Sequence, residues 1–542
     1  MSEQEEAEDM TFKHWATVIS EKAIELFGQK QTVCTGWSPS GYYHLGNFRE
    51  GVTCRAIARE LDNLGTNPRF IINIDDQDPF DRIPSFFKKF EKELEPYLGY
   101  PINEVPDPLG CHDSYAGHFI DDALNIMHNF DVNPEPTIIS EYYKKGDYDK
   151  YAKLFIEKKE EVYEITERIT GSRMEDFFMI QCPKCKNIDA PKTLSAEIEN
   201  SKIRMEILCQ KEKNGCGFQG KIMLGDTTWK LKWRLDWAAR QDFFGVSVES
   251  SGKDHGAAGG SIDTSLAFHE KIFGKTKLPL LIQHGFLTVG GKKASGSVGS
   301  GVPVSEFHKM LDPEIFLYLI YRHNLRTDFD FDVKNDLPKI ASEFSKAREV
   351  YIYGEGVDHQ KSKEKTWKAF ELALIDKDSV SNQLPIEIGH LATLMQVFMF
   401  DRDKTFQKMV ERSSIEDSKQ LEVTFEQNFT RTKYWLDNYA NDNFKFSISE
   451  KTDCDMVNQL EQGIYENLLA AIKELPDNLH GDDITQYLYK IAKEKEIKTA
   501  NFFRALYVSV LSKKFGPRAG TLIDALSKEK TIKFLEKALE CY

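Results

Sequence analysis

The chain opens its ordered pattern with apolar residues at helical spacing. Trp15, Val18, Ile19, Ala23, Ile24 and Phe27 fall on one face, which predicts a helix over Trp15–Phe27. Residues 31–35 read as a short strand, and Gly36-Trp-Ser-Pro-Ser-Gly41 follows as a turn-rich loop. Helical spacing returns over 51–64, and Arg69-Phe-Ile-Ile-Asn-Ile74 is a compact apolar strand. Strand, glycine loop, helix and strand within about 45 residues make one βαβ unit of a parallel sheet. Such sheets bind ligands beyond the carboxyl ends of their strands, where the 36–47 loop lies. From about 80 to 225 charged helices and Cys/His clusters interrupt the pattern and read as an insertion, not as more sheet. The αβ character resumes near Trp229 and continues to Phe286, and beyond about Asp330 long helical stretches such as 386–400 and 500–514 take over. Pro517 and Gly520 separate the last of these from the closing helix.

A length of 542 residues calls for two to four domains. The pattern divides them as 1–80, the first half of a nucleotide-binding domain; 81–225, the insertion; 226–330, the second half; and 331–542, an α-helical domain. No apolar run is long enough to span a bilayer, and the acidic start lacks the order of a secretion signal, so the cytoplasm is the expected location. The net charge of -15 argues against indiscriminate nucleic-acid coating. It leaves room for a local partner surface, because residues 484–542 carry 12 Lys/Arg against 6 Asp/Glu. The nine cysteines include one Cys-x-x-Cys pair, which favours metal sites over a disulfide framework.

Two glycine-rich segments carry candidate nucleotide chemistry. In Ser38-Pro-Ser-Gly-Tyr-Tyr-His-Leu-Gly-Asn47, Gly41 and Gly46 let the backbone approach a phosphate, Pro39 belongs to the same candidate loop, and a following helix N-terminus presents free N–H groups. His44 and Asn47, three apart, can face one ligand there. The second segment is Gly290-Gly-Lys-Lys-Ala-Ser-Gly-Ser-Val-Gly299. Lys292 and Lys293 with Ser295, Ser297 and Gly299 form a loop that either closes over a triphosphate or is a surface loop.

Cys182, Cys185, Cys209 and Cys216 form a four-thiolate set suited to tetrahedral zinc, with Gly215 and Gly217 flanking the last. Asp107, Cys111, His112 and His118 are all zinc-ligand types within twelve residues; packing or capping histidines are the alternative. Trp233 and Trp237 stand one helical turn apart with Asp236 between them, an aromatic wall beside a carboxylate or a core-facing stripe. Gly252-Lys-Asp-His-Gly-Ala-Ala-Gly-Gly-Ser-Ile-Asp-Thr264 places Asp254, His255 and Asp263 in a glycine-rich binding loop.

Together the two glycine-rich segments resemble the His-x-Gly-His and Lys-Met-Ser-Lys-Ser signatures of class I aminoacyl-tRNA synthetases. The wording of 39–50, of Trp233-Arg-Leu-Asp-Trp237 and of 252–264 is similar to the class I lysyl-tRNA synthetase family. The resemblance implies a Rossmann-type nucleotide-binding parallel sheet with a zinc-bearing insertion, followed by an all-α C-terminal anticodon-binding domain. It implies that ATP with Mg2+ activates lysine for transfer to tRNA(Lys). His44 and Asn47 are then expected on the ATP phosphates and Lys293 on the transition state. Gly36, Ser38, Trp233 and His255 are expected around lysine, with Asp236 as a candidate counter-charge. Asp254 and Asp263 face the adenylate. The family also carries an Asp-x3-Cys-His-x5-His zinc site where Asp107 to His118 stand, so two structural zinc ions and a monomer are expected.

The chain departs from the family at three places. Ala294 replaces the signature methionine, and Ser297-Val-Gly-Ser300 lacks the trailing lysine. Ser38 stands where threonine is usual. Gln283-His-Gly-Phe286 replaces a tyrosine–glutamate pair, putting His284 beside the lysine site. These departures motivate a second reading, a tRNA- or adenylate-binding paralogue with weakened or altered amino-acid specificity.

Overall fold

The computed structural model describes residues 12–293, 302–354, 360–377, 380, 387–411 and 418–542. Its centre is a five-stranded parallel sheet. The strands are β1 (Thr32–Trp37), β2 (Arg69–Ile74), β3 (Glu135–Ile138), β4 (Val248–Gly252) and β5 (Leu280–His284), in spatial order β5-β4-β1-β2-β3. Every pairing is parallel, from Leu280↔Val248 at one side to Ile71↔Glu135 at the other. Such a sheet must be covered on both faces. On one face Val33 and Val248 pack with helices α1 (Trp15–Phe27) and α2 (Leu45–Asn63). On the other, Cys34 and Ile71 join a larger core that includes Leu235, Ala238 and Ala239 of α3 (Trp233–Phe244).

Helix α1 and strand β2 fall where the hydrophobic pattern predicts them. Helix α2 begins six residues earlier than its apolar spacing suggests, because His44 caps it: the imidazole Nδ1 accepts the Gly46 and Asn47 N–H groups at 3.1 and 3.3 Å. The expectation that 81–225 holds no further sheet is corrected by β3. That strand reads Glu-Pro-Thr-Ile with two exposed positions and a proline, tolerable only at a sheet edge, so it carries no apolar signature. The rest of the insertion includes a three-stranded antiparallel sheet of Pro191–Glu199, Lys202–Cys209 and Gln219–Met223.

The chain divides into two compact units. The first holds the described residues within 1–308, 316–331 and 357–375. A single boundary at 331 therefore misplaces the helix Gln360–Ala373. Arg55 on α2 donates to the Leu372 and Leu374 carbonyls at 2.7 and 3.3 Å, and Lys368 meets Glu60 at 3.0 Å, which ties that helix to the nucleotide-binding unit. The second unit is helical around a core that includes Leu468, Leu488, Phe502, Leu506, Leu522 and Leu535. One disulfide, Cys454–Cys541, joins its short helix Cys454–Val457 to the penultimate residue, against the expectation of reduced cysteines. The closing helix Lys528–Leu539 packs into the same core and delivers Cys541 there. The other seven cysteines are free. Among the described residues no helix is long and apolar enough to cross a membrane.

Candidate active site

Strand order reverses between β1 and β4, and a crevice at such a point, outside the carboxyl ends, is where open parallel sheets take ligands. A cleft of 370 Å³ lies there. The ends of β1 and β2 contribute Gly36, Trp37, Ser38, Asn73, Asp75 and Asp78. Strand β4 contributes Glu249, Ser250 and Ser251, and α2 contributes Asn47 and Glu50. Trp233, Trp237 and Arg240 of α3 and His255 complete the wall. Four buried atoms of this lining, Ser38 Oγ, Asp75 Oδ1, Ser250 Oγ and Ser251 Oγ, have no hydrogen-bond partner among the described residues. Buried polar groups are rarely left so, and a polar ligand would satisfy them.

One side of the cleft is aromatic. Trp233 and Trp237 stack with centroids 5.5 Å apart, and His255 lies 6.3 and 6.0 Å from their rings. Gly260 lets the loop carrying His255 fold back closely, because a Cβ there would fall 2.4 Å from the His255 carbonyl oxygen. The other side is acidic. Glu50 accepts the Gly252 N–H at 3.3 Å, and Glu249 accepts the Trp237 indole N–H at 2.9 Å. Beneath them lies an ion network. Asp75 receives Lys230 at 2.5 Å and Arg240 at 2.6 Å, and Lys230 also reaches Asp78 at 2.8 Å. Burial opposes ionisation of Asp75, but Arg240 and Lys230 outweigh it and hold the carboxyl well below the usual range.

The structure thus brings together Gly36, Ser38, Asn47, Trp233 and His255 on one wall. It does not bring Asp236 there. Asp236 is fully buried behind the tryptophans, accepting the Tyr143 hydroxyl at 2.5 Å and pairing with Arg240. One residue off the Trp233–Trp237 stripe is a rotation of about 100°, which turns its side chain away. His284 also lies off the wall: it is buried, its Nδ1 donates to the Gly285 carbonyl at 3.0 Å, and its Nε2 stands 3.8 Å from Glu50. Asp254 and Asp263 are exposed and outside the lining, Asp263 accepting the Gly259 N–H at 3.1 Å. Lys292 and Lys293 pair antiparallel with Val289 and Thr288 in a small sheet. Ser295, Ser297 and Gly299 lie outside the described residues. Glu50, Asp75, Asp78 and Glu249 were not picked out by sequence pattern. A lone glutamate in a strand buried over its whole length, as in Val248-Glu-Ser-Ser-Gly252, is the signal that marks one of them.

Two clusters have the donor sets of metal sites. The Sγ atoms of Cys182, Cys185, Cys209 and Cys216 all lie within 4.8 Å of one another, with Cys182–Cys216 at 3.7 Å and Cys185–Cys209 at 3.6 Å. Thiolates on a tetrahedral zinc stand about 3.8 Å apart, from Zn–S bonds of about 2.3 Å. In the second set, Cys111 Sγ is 3.1 Å from Asp107 Oδ2, 3.2 Å from His112 Nδ1 and 3.3 Å from His118 Nδ1. Asp107 Oδ2 also accepts the Cys111 and His112 N–H groups at 3.0 Å, which fixes the carboxylate in place. Both donor sets fit a four-ligand ion.

A parallel sheet reversing at an aromatic and acidic cleft, with a histidine-capped helix beside it and a helical unit after it, is the architecture of a class I aminoacyl-tRNA synthetase. Residues 13–376 match the family described as tRNA synthetases class I (K), and 393–539 match an anticodon binding domain. The chain belongs to that synthetase family, whose members are ATP-dependent aminoacyl-tRNA ligases. It is 31% identical to "Lysine--tRNA ligase" of Archaeoglobus fulgidus over 97% of this chain and 100% of that one. It is 29% identical to proteins of the same name from Thermococcus kodakarensis and Pyrococcus horikoshii, over 96% of this chain and 99% of each.

Proposed function

We propose that the protein is a lysine–tRNA ligase, which joins lysine to ATP as lysyl-adenylate and passes the acyl group to tRNA(Lys). The observation that carries this reading is the cleft itself. Its stacked tryptophans flank carboxylates, a surrounding that offsets the desolvation of an entering ammonium group. The lysine carboxylate attacks the α-phosphate and pyrophosphate leaves, so no side-chain nucleophile is required. The protein's part is positioning and charge stabilisation.

In this reading lysine occupies the cleft against Gly36, Ser38, Trp233 and His255, with Glu50 as a carboxylate of the same lining in place of Asp236. ATP, with Mg2+, runs along the Pro39, Gly41, His44, Gly46 and Asn47 segment. Gly46 leaves room there, since a Cβ would press to 3.0 Å on the His44 ring. His44 then acts partly through shaping the start of α2, which presents its N–H groups to phosphate. Lys292 and Lys293, with Ser295, Ser297 and Gly299, supply positive charge and hydroxyls to the leaving pyrophosphate, and Asp254 and Asp263 face the adenylate. Zinc at Cys182/Cys185/Cys209/Cys216 and at Asp107/Cys111/His112/His118 has a structural role, since four protein ligands leave no open position. The helical unit is the tRNA-reading part. The test is acylation of tRNA(Lys) transcript with labelled lysine. Charging is expected from the wild type and is expected to fall at least a hundredfold in His44→Ala and Lys293→Ala. Stoichiometric tRNA binding without charging would favour the paralogue reading, which the buried His284 beside Glu50 motivates.

A further inference from the structure

Glu249 is an acid in a strand that otherwise admits no charge. It pairs in register with Cys34 of β1 and Leu281 of β5, inside a strand buried at all five positions. Its carboxylate still lines the cleft and cannot swing away, because α3 holds both oxygens. The Trp237 indole donates to Oε1 at 2.9 Å, and the Gln241 amide donates to Oε2 at 2.6 Å. Gln241 is fixed in turn. Its Oε1 accepts the Ser265 hydroxyl at 2.6 Å and lies 3.1 Å from His269 Nε2, while its NH2 group faces Glu249.

The groups around this carboxylate are the thiols of Cys34 from β1 and Cys54 from α2, Glu50 from α2, and Arg240 from α3. Arg240 is committed to Asp75 and Asp236, and among the described residues no lysine or arginine is ion-paired with Glu249. Two carboxylates, Glu249 and Glu50, therefore line one cleft, and among the described residues no lysine or arginine is paired to either. Burial, with Glu50 adding to it, pushes the Glu249 carboxyl up to about 7 against the hydrogen bonds from Trp237 and Gln241.

We propose that Glu249 is the specificity-determining counter-charge of the cleft, its ionised carboxylate pairing with a cationic side chain that enters, so that lysine binding draws off whatever proton Glu249 holds in the free protein. This rests on the reading that lysine is the substrate. A neutral or anionic side chain gives Glu249 nothing to ionise against, so the device favours an ammonium group. The direction of the pH dependence follows. Below about 7 the free protein must lose the Glu249 proton before it can pair with lysine, and above that value it has already lost it. Affinity for lysine therefore rises with pH up to about 7 and levels off, while the lysine side chain stays charged throughout.

The test uses the full chain at saturating ATP and Mg2+, with the KM for lysine read from ATP–pyrophosphate exchange between pH 5.8 and 8.0. The wild-type KM is expected to rise by up to about tenfold per pH unit below 7 and to be flat above it. Glu249→Gln is expected to have a pH-independent KM, at least tenfold above wild type at pH 8 and converging on it near pH 6. Calorimetry at pH 7 in buffers of different ionisation enthalpy is expected to count about half a proton released by wild type and none by the variant. A wild-type KM flat with pH, or a variant KM raised by the same factor at every pH, overturns the proposal and leaves Glu249 only as a prop for Trp237. Both outcomes leave the ligase reading intact. No lysine-dependent exchange at any pH overturns both. If Glu249→Gln does not fold, the wild-type slope and proton count decide.

Discussion

The two metal-type clusters and the substrate cleft of this protein are built on opposite plans. Each cluster draws its donors from one short neighbourhood: Asp107 to His118 in a single loop and helix start, and Cys182 to Cys216 around one small antiparallel sheet. The Cys cluster is packed by little else, since its buried members are Cys182, Ala190 and Cys209 alone. The cleft gathers residues from Gly36 to His255 on separate strands and helices, over a buried network of Asp75, Lys230, Asp236 and Arg240. The difference is one of energy flow. An ion at the cluster would tie together four thiols that have little apolar packing of their own, beside an antiparallel sheet whose Ile203, Met205 and Ile207 join the larger core, whereas the cleft draws on the sheet beneath it.

That contrast can be broken at either end. The largest effect is expected at the cysteines. Structural zinc contributes about 10–16 kcal/mol to the folding of small metal domains, so Cys182→Ser should lose one of two equivalents of bound zinc and expose 182–223 to protease. Elemental analysis and limited proteolysis check this; retention of both equivalents would show that the thiols do not hold the ion. Next comes the network under the cleft. Lys230→Met leaves buried Asp75 and half-buried Asp78 short of a cation and is expected to cost about 3–5 kcal/mol in urea unfolding. Asp75 is held below the ordinary carboxylate range, so its contribution is complete above that range and fades as pH falls towards the depressed value. The acid side of the stability profile should therefore be shallower in Lys230→Met than in wild type. The smallest effect belongs to the half-exposed wall. Trp233→Ala removes one stacked ring and is expected to raise the KM for lysine roughly fivefold, about 1 kcal/mol, with little change in unfolding midpoint. A stability loss as large as that of Lys230→Met would mean that Trp233 is core, not binding surface.

The same contrast explains what was legible in the sequence. The donors of the clusters stand close along the chain, so spacing marks them as candidates. Strand β2 and helix α1 have clean apolar patterns and were found with their ends. Strand β3 was missed because an edge strand carrying Glu135 and Pro136 has no apolar pattern to read. Spacing leaves the direction of Asp236 open, because it does not say which way a helix faces, and the partner that orients it, Arg240, also pairs with Asp75, more than 160 residues earlier in the chain. Glu50 carries no such signal, and Glu249 only that of a lone acid in a buried strand. Their importance comes from lining one cleft from a helix and a strand far apart in the chain, a fact of topology and not of neighbourhood.

The amino acid that the cleft accepts is measured most directly by ATP–pyrophosphate exchange by the full chain against each of the twenty amino acids. Exchange with lysine alone, abolished in Lys293→Ala, is the predicted result. Exchange with another amino acid and none with lysine would contradict it.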